Sequence, residues 1–172
     1  MRLFAIATFA GLAIALAAPA SAAPVTVGPV TIDAALQKKF ANDYGAREIA
    51  VLQRMVTASI SRELTQTGAT IGVGAPVTVE TTLVNVKPSR PTFQQAVNKP
   101  GLDMFRSISL GGAELRARIV GADGAALGEV TYKWYEYDLS YSFASTTWSD
   151  AQRAIARFAD RVADAYVAKA GS

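Results

Sequence analysis

The chain contains neither histidine nor cysteine among its 172 residues. Without histidine there is no imidazole base, which excludes a Ser-His-Asp triad. Without cysteine there is no thiol nucleophile, no disulfide and no Cys-ligated cluster, and the loss of both residue types removes the ordinary ligands of zinc. The sequence therefore predicts a protein that is not an enzyme and that has no metal site and no cofactor.

A strong excess of charge is also lacking. The 17 basic side chains and 14 acidic ones leave a net charge of only +3. No basic stripe with interleaved aromatic residues is present, so a nucleic-acid partner is not expected. After the N-terminal segment no long apolar run remains, so no transmembrane segment is expected in the mature chain.

The first 22 residues have the pattern of a signal peptide. Arg2 supplies a positive start, residues 3–16 form an apolar core, and Pro19 precedes the small-residue pattern Ala20-Ser21-Ala22. A membrane anchor is the alternative, but the apolar core is shorter than the ~20 residues that span a bilayer. We expect cleavage near Ala22, a periplasmic or secreted location, and a single mature domain over residues 23–172.

Two later stretches have the periodicity of amphipathic helices. The first covers residues 46–67 and ends before Gly68, which is typical of a helix C-terminus. The second follows Thr147, where Thr147 and Asp150 have the spacing of a capping box. Their apolar stripes are Ile49, Leu52, Val56, Ile60 and Leu64 in the first helix, and Trp148, Ala151, Ile155, Phe158, Val162 and Tyr166 in the second.

The remaining periodic stretches predict strands. Residues 25–32 form an edge strand interrupted at Pro29, and residues 77–86 form a strand with a bulge or a double-sided burial near Leu83 and Val84. Residues 109–120 and 126–139 form a hairpin around a two-residue Asp123-Gly124 turn. In that register Leu115 faces Tyr132, Ala113 faces Trp134, Arg118 meets Glu129 and Glu114 meets Lys133.

These elements predict an α+β fold in the order β-α-β-loop-β-β-α, with a short helical turn after Asp33. Both long helices have a single apolar stripe, and the strands mostly alternate between apolar and polar residues. That combination favours a two-layer sandwich, in which an antiparallel sheet of about four strands is covered on one face by both helices.

Three local patterns occur along the chain: Tyr44-Gly45-Ala46-Arg47-Glu48 with Gly68-Ala69, the stretch 111–117 leading into Asp123-Gly124, and Trp148-Ser149-Asp150-Ala151 before Phe158-Ala159. With these patterns the chain resembles small exported bacterial envelope proteins of unknown function. It is also similar to auxiliary periplasmic lipoproteins of envelope transport systems, and that similarity implies an accessory, partner-binding role at the cell envelope. This chain departs from the lipoproteins because it lacks the lipobox cysteine.

The stretch 87–107 has no sustained period, and a loop of this length is usually functional or disordered. Its apolar residues argue against disorder. Arg90 and Arg106 are candidate forked donors to a carboxylate or phosphate, and Phe93 is a candidate anchor for a partner. The alternative is a packed cover over one sheet edge, in which the arginines satisfy loop carbonyls.

Tyr135 and Tyr137 lie on the sheet face opposite Tyr132 and Trp134. If no other layer covers them, they form an exposed patch that marks an interaction site. The alternative is packing beneath the long loop. Glu136 and Asp138 share the other strand face as acid/base carboxylates do, although acidic pairs near a strand end are usually solvated.

The sequence thus predicts an exported periplasmic protein, most simply a non-catalytic module that binds a protein or another envelope component. The alternative is a module that binds a small molecule or lipid in a pocket under residues 87–107. The candidate binding residues are Arg90, Phe93, Arg106, Tyr135 and Tyr137.

Overall fold

The structure is a computed structural model that describes residues 24–142 and 146–170. The predicted leader lies outside the described residues. The elements in chain order are β1 (Val25–Val27), β2 (Thr31–Ile32), α1 (Ala34–Lys39), α2 (Arg47–Gln66), β3 (Val77–Lys87), α3 (Phe93–Asn98), β4 (Gly112–Val120), β5 (Ala126–Tyr135) and α4 (Ser149–Ala170). A π-helical turn (Phe40–Tyr44) follows α1, and a 3-10 turn (Leu139–Ser142) precedes α4.

The sheet is mixed, not antiparallel as the sequence predicted. Its order is β1-β3-β4-β5, and β2 lies beside β3 on the same side as β1. Both β1 and β2 run parallel to β3, while β3, β4 and β5 are antiparallel. The helical connection through α1 and α2 returns the chain to the sheet in the same direction, as a crossover does. The predicted first strand is split into β1 and β2 at Gly28 and Pro29.

The register of the β4–β5 hairpin is the predicted one. Leu115 lies opposite Tyr132 and Ala113 opposite Trp134. The turn differs, however. Gly124 N donates to Gly121 O over 3.0 Å, Gly121 N donates to Ala125 O over 2.9 Å, and Gly124 has a φ of 79°. The loop therefore has three residues, with Gly124 in the left-handed conformation, instead of the predicted two. A register shift between Ile119 and Val120 compensates for the additional loop residue, so the pairs from Ile119 back to Gly112 keep the predicted register.

The polar face of the sheet carries cross-strand ion pairs. Arg118 contacts Glu129 at 3.5 Å, and Lys133 contacts Glu114 at 3.5 Å. Both pairs were expected from the register. The predicted irregularity near Leu83 is also present, because the β3–β4 register shifts between Leu83 and Asn85.

Helices α2 and α4 pack against each other and against one face of the sheet. The predicted apolar stripes form this interface, and only Ile49 of the two stripes is partly exposed. The fully buried side chains of largest volume include Phe40, Leu52, Ile60, Leu83, Leu115, Ile155, Phe158 and Tyr166.

The N-termini of the two long helices are joined by Trp148. Its indole Nε1 donates to the Glu48 carboxylate over 2.6 Å. Its ring also meets Tyr44 edge to face, with ring centroids 6.0 Å apart, and Tyr44 meets Phe40 in the same way at 5.7 Å. This aromatic chain fixes the start of α4 against the start of α2.

Asp150 in the first turn of α4 is fully buried. Its carboxylate accepts from the Ser89 hydroxyl at 2.7 Å and from Gly111 N at 3.1 Å, while Asp150 N donates back to the Ser89 hydroxyl oxygen at 3.1 Å. Arg153 lies 3.4 Å from the other carboxylate oxygen. The carboxylate therefore does not act in the predicted capping box with Thr147, because it is bound to residues outside its own helix.

Gly111 is required by this arrangement. A Cβ atom placed there would lie 2.5 Å from the Ser89 hydroxyl oxygen and 3.0 Å from the Asp150 carboxylate. Because both neighbours are held by hydrogen bonds to each other, neither can move aside without breaking the contact.

Replacing Asp150 with alanine is expected to lower the free energy of unfolding by about 3 kcal/mol or more. The Ser89 hydroxyl and Gly111 N–H are buried donors that lose their acceptor, at a cost of about 1–3 kcal/mol each. Urea unfolding followed by circular dichroism measures the change. Asp164→Ala, at an exposed position of the same helix, is the matched control and should change stability by less than about 0.5 kcal/mol. Equal effects of the two substitutions would contradict the role assigned to Asp150.

Candidate functional site

The segment 88–111 connects β3 to β4 and is closed at its base. Ser109 N donates to Ser89 O over 2.8 Å, and the Ser109 hydroxyl donates to Pro88 O over 2.5 Å. Ser89 N in turn donates to Thr147 O over 2.8 Å, just before α4. The stretch that the sequence left without regular structure is thus a loop whose two ends are fastened together and to α4.

The segment contains α3, which the sequence did not predict. Thr92 and Gln95 form a capping box in which each side chain accepts from the other residue's backbone N–H. Gln95 also donates to the Asp43 carboxylate over 2.8 Å, and Lys99 forms an ion pair with Asp43 at 2.5 Å. The short helix is therefore held against the turn before α2, and it presents its opposite side to solvent.

Large apolar side chains project from this fastened segment. Phe93 is 66% exposed, Val97 is 63% exposed, and Phe105 is 85% exposed. Phe93 and Val97 are four residues apart on α3 and therefore share one face of the helix. We call these three side chains the apolar loop patch. Phe93, the candidate anchor for a partner, is therefore exposed to solvent.

The two arginines of the segment differ in their surroundings. Arg90 donates to the carbonyl oxygen of Phe105 and so joins two parts of the same loop. This is the arrangement expected from the alternative interpretation, in which the arginines satisfy loop carbonyls. Arg106 is exposed, and its backbone N–H donates to Asp103 over 2.8 Å. Donation from the backbone N–H groups of Phe105 and Arg106 lowers the pKa of the Asp103 carboxyl below its ordinary value.

A cavity of about 240 Å³ lies beneath the segment. Its lining is mainly apolar, and the polar residues that line it are Lys87, Gln95, Ser107 and Ser109. This volume is somewhat below the range of pockets that enclose drug-sized ligands. The apolar part of the lining consists of Tyr44, Pro88, Pro91, Leu102 and Ile108.

Tyr135 and Tyr137 lie apart from this cavity. Tyr135 is half-buried on the open sheet face, and burial together with the negative charge of Glu114 raises the pKa of its hydroxyl. The hydroxyl lies near the Asn85 side chain without a well-aligned hydrogen bond. Tyr137 follows the end of β5 and is 84% exposed. It lines an open cleft of about 480 Å³ with Trp134, Glu136, Arg153 and Arg157.

A polar cluster that sequence reasoning missed lies beside this cleft. Arg153 is 3.4 Å from both the Glu136 and the Asp150 carboxylates. The Ser89 hydroxyl is hydrogen-bonded to Asp150, but Ser89 is fully buried and no imidazole is present to accept its proton. These contacts hold α4 against the ends of the segment and of β5. The only sequence signal for this cluster is Asp150 at the start of a helix, and the capping-box pattern explains that residue equally well.

Glu136 and Asp138 do not form the acid/base pair that the sequence raised. β5 ends at Tyr135, so neither residue lies on a strand face. The Glu136 carboxylate turns back to accept from Tyr137 N at 3.0 Å and Asp138 N at 3.3 Å. The Asp138 carboxylate accepts from Ser140 N at 2.9 Å, which lowers its pKa. Each carboxylate therefore stabilises its own turn.

Within residues 24–142 and 146–170, no group of three or more acidic side chains is arranged to hold a metal ion. No helix in that part of the chain is both long enough and apolar enough to cross a bilayer.

No protein-family model matches this chain, and no curated protein matches it in sequence. Among solved structures, a hypothetical protein from Chlamydia trachomatis superposes with a TM-score of 0.52 at 13% identity, covering 86% of this chain and 99% of that chain. The PelC dodecamer from Paraburkholderia phytofirmans gives 0.49 at 13% identity, covering 84% and 88%. A Xanthomonas campestris protein of family model DUF330 gives 0.48 at 10% identity, covering 89% and 88%.

Lipoproteins from Neisseria meningitidis and Acinetobacter baumannii also match, with TM-scores of 0.41 and 0.37. The Chlamydia trachomatis protein has a TM-score of 0.52, and this chain is similar to it in architecture.

Proposed function

We propose that this chain is an exported accessory protein of the cell envelope that binds a partner and catalyses no reaction. The apolar loop patch is the observation that carries the proposal. Phe93 and Phe105 are largely exposed, so little of either ring is buried in the core. They lie on a segment that is fastened at both ends, so a partner would meet a surface that is already formed.

Within residues 24–142 and 146–170 no catalytic arrangement is found, which supports the same proposal. The buried acidic residues, Glu136 and Asp150, are engaged by Arg153 and by backbone N–H groups. The predicted leader and the resemblance to exported envelope proteins support the location. The partner is expected to be a protein or another envelope component that presents an apolar surface to Phe93 and Phe105.

A photo-reactive amino acid placed at position 93 or 105 is expected to cross-link to the same partner in the native envelope. The residues are exposed, so their replacement should leave the fold intact. Mass spectrometry identifies the adduct. Position 73 is the matched control, because Val73 is also apolar and fully exposed but lies in the connector before β3. An identical adduct at all three positions, or no adduct at 93 and 105, would remove the support for this surface.

The combined substitution of Phe93 and Phe105 by serine is expected to abolish that capture and to change the free energy of unfolding by less than about 0.5 kcal/mol, as is usual for exposed positions. Urea unfolding distinguishes loss of binding from loss of fold. A destabilised double variant would show that the two rings pack within the protein.

The cavity beneath the segment favours a second candidate function, the binding of a small molecule or lipid chain. Its mainly apolar lining suits an acyl chain, and Lys87 at its boundary suits a carboxylate. Octanoate is a suitable probe. Calorimetry is expected to show binding to the purified protein that Leu102→Trp abolishes, because the larger side chain fills the cavity. Leu139→Trp, at an exposed leucine away from the cavity, should bind as the unmodified protein does. The absence of any binding heat would exclude octanoate as a ligand and weaken this alternative.

A further inference from the structure

The two edges of the sheet are built differently. On one side the edge consists of β1 and β2, which are 3 and 2 residues long and are separated by Gly28 and Pro29. Short, proline-broken strands are a common protection against pairing with another chain. On the other side the edge is β5, which has 10 residues and no proline. Among the described residues no strand pairs with the outer side of β5.

The residues that face outward along β5 follow from its pairing with β4. Glu136 N donates to Gly111 O, which marks the even-numbered positions as those that bond to β4. Hydrogen bonding alternates along an antiparallel strand. The backbone N–H and C=O groups of Glu129, Thr131 and Lys133 therefore point to the open edge. The side chains of Glu129 and Lys133 form ion pairs with Arg118 and Glu114 of β4.

A row of basic side chains lies directly above this strand. Arg157 stacks on Trp134 and Arg161 on Tyr132, each with the guanidinium carbon 4.6 Å from the ring centroid. Arg153 contacts Glu136, and Lys169 lies over Gly128, 3.9 Å from where a Cβ would be. Each step of four residues along α4 thus matches a step of two residues back along β5.

The spacing of the basic side chains along α4 matches the spacing of alternate residues along β5. Four residues of helix advance about 6 Å, and two residues of strand advance about 6.7 Å. The basic side chains therefore keep nearly the same spacing as alternate residues of any strand that pairs with β5. The opposite flank of α4 faces α2, where burial and then the nearby Glu63 carboxylate raise the pKa of Asp160. The row consequently lies on the flank of α4 away from α2, above the last strand of the sheet.

Arg157 and Arg161 remain available for an anion. Both are exposed, and within the described part of the chain neither has a carboxylate at ion-pair distance. Stacking on an aromatic ring occupies the face of a guanidinium and leaves its N–H groups at the perimeter. Those donors are held in position for forked hydrogen bonds to carboxylates.

We propose that the outer edge of β5 binds an extended acidic segment of another protein by strand addition, with alternate glutamate or aspartate side chains on Arg157 and Arg161. The backbone N–H and C=O groups of Glu129, Thr131 and Lys133 form the hydrogen bonds to the added strand. The basic side chains of α4 favour a strand with acidic side chains. This surface is separate from the apolar loop patch.

A second copy of the chain fits this edge less well. Pairing two β5 strands about Thr131 would place Glu129 opposite Lys133 of the other copy, which is favourable. The same pairing would place Trp134 opposite Gly128, and so bring Arg157 towards Lys169 of the other copy. The two basic rows would repel each other, whereas an acidic strand is attracted to the row.

The probe is a short capped peptide that alternates glutamate with threonine and valine, titrated into the purified protein at low salt and followed by fluorescence anisotropy. Arg157→Gln combined with Arg161→Gln is expected to weaken binding at least tenfold, because two charge-assisted contacts are lost. Arg54→Gln, at an exposed position of α2, is the matched control and should bind normally. Peptides with lysine in place of glutamate should not bind.

The strand ladder is tested separately. A peptide N-methylated at alternate residues cannot donate to the edge and should bind at least tenfold more weakly, with no change to the protein. Thr131→Pro should have the same effect, because it removes an outward N–H and leaves the bonds to β4 in place. On binding of the unmodified peptide, the amides of Glu129, Thr131 and Lys133 should become protected against hydrogen exchange.

Three results would overturn the proposal. The first is no binding of the glutamate peptide at low salt. The second is binding that neither the double arginine variant nor N-methylation weakens. The third is a dimer of the unmodified protein in sedimentation that Thr131→Pro dissociates, which would assign the edge to a second copy.

Discussion

The reciprocal contact between Asp150 and Ser89 positions the segment that carries the apolar loop patch. It joins the first turn of α4 to the start of the segment 88–111, and through Gly111 N it also holds the end of that segment. Arg153 extends the same contact to Glu136 after β5. A buried carboxylate needs such partners, because an isolated charge in the interior is strongly unfavourable. The protein therefore satisfies one buried charge with groups from three parts of the chain, and their positions become mutually dependent.

Patterns that repeat over a few residues were sufficient to predict much of the fold. The stripes of α2 and α4, the bulge in β3 and the β4–β5 register all depend on side-chain period, which is local. The parallel pairing of β1 and β2 with β3 depends on how the helical connection returns to the sheet. That is a property of the packed chain, and alternation within each strand carries no information about it. The helix α3 was missed because a single short helix has too few turns for a period to be recognised.

The sequence indicated several side chains of the candidate site, but it did not indicate the contacts that those side chains make. Phe93 and Tyr137 are exposed where the sequence placed candidate contacts, and Arg90 bonds to a loop carbonyl, which was the alternative reading of the same residue. Nothing in the local sequence distinguishes Asp150, bound to Ser89 and Gly111, from a helix cap. The stacking of Arg157 and Arg161 on β5 likewise requires the docked geometry of α4, since on the sequence alone both residues are consistent with a solvated helix face.

The fastening of segment 88–111 to α4 has a consequence for biosynthesis. Ser89 and Asp150 are separated by 61 residues, and the contact cannot form before the C-terminal helix is present. Because the chain is synthesised from its N-terminus, all residues of β1 to β5 are made before Asp150 is available to Ser89. The attachment of the segment to α4 is therefore completed late, and a chain that ends before Asp150 lacks it even though Ser109 and Ser89 can still close the base of the loop.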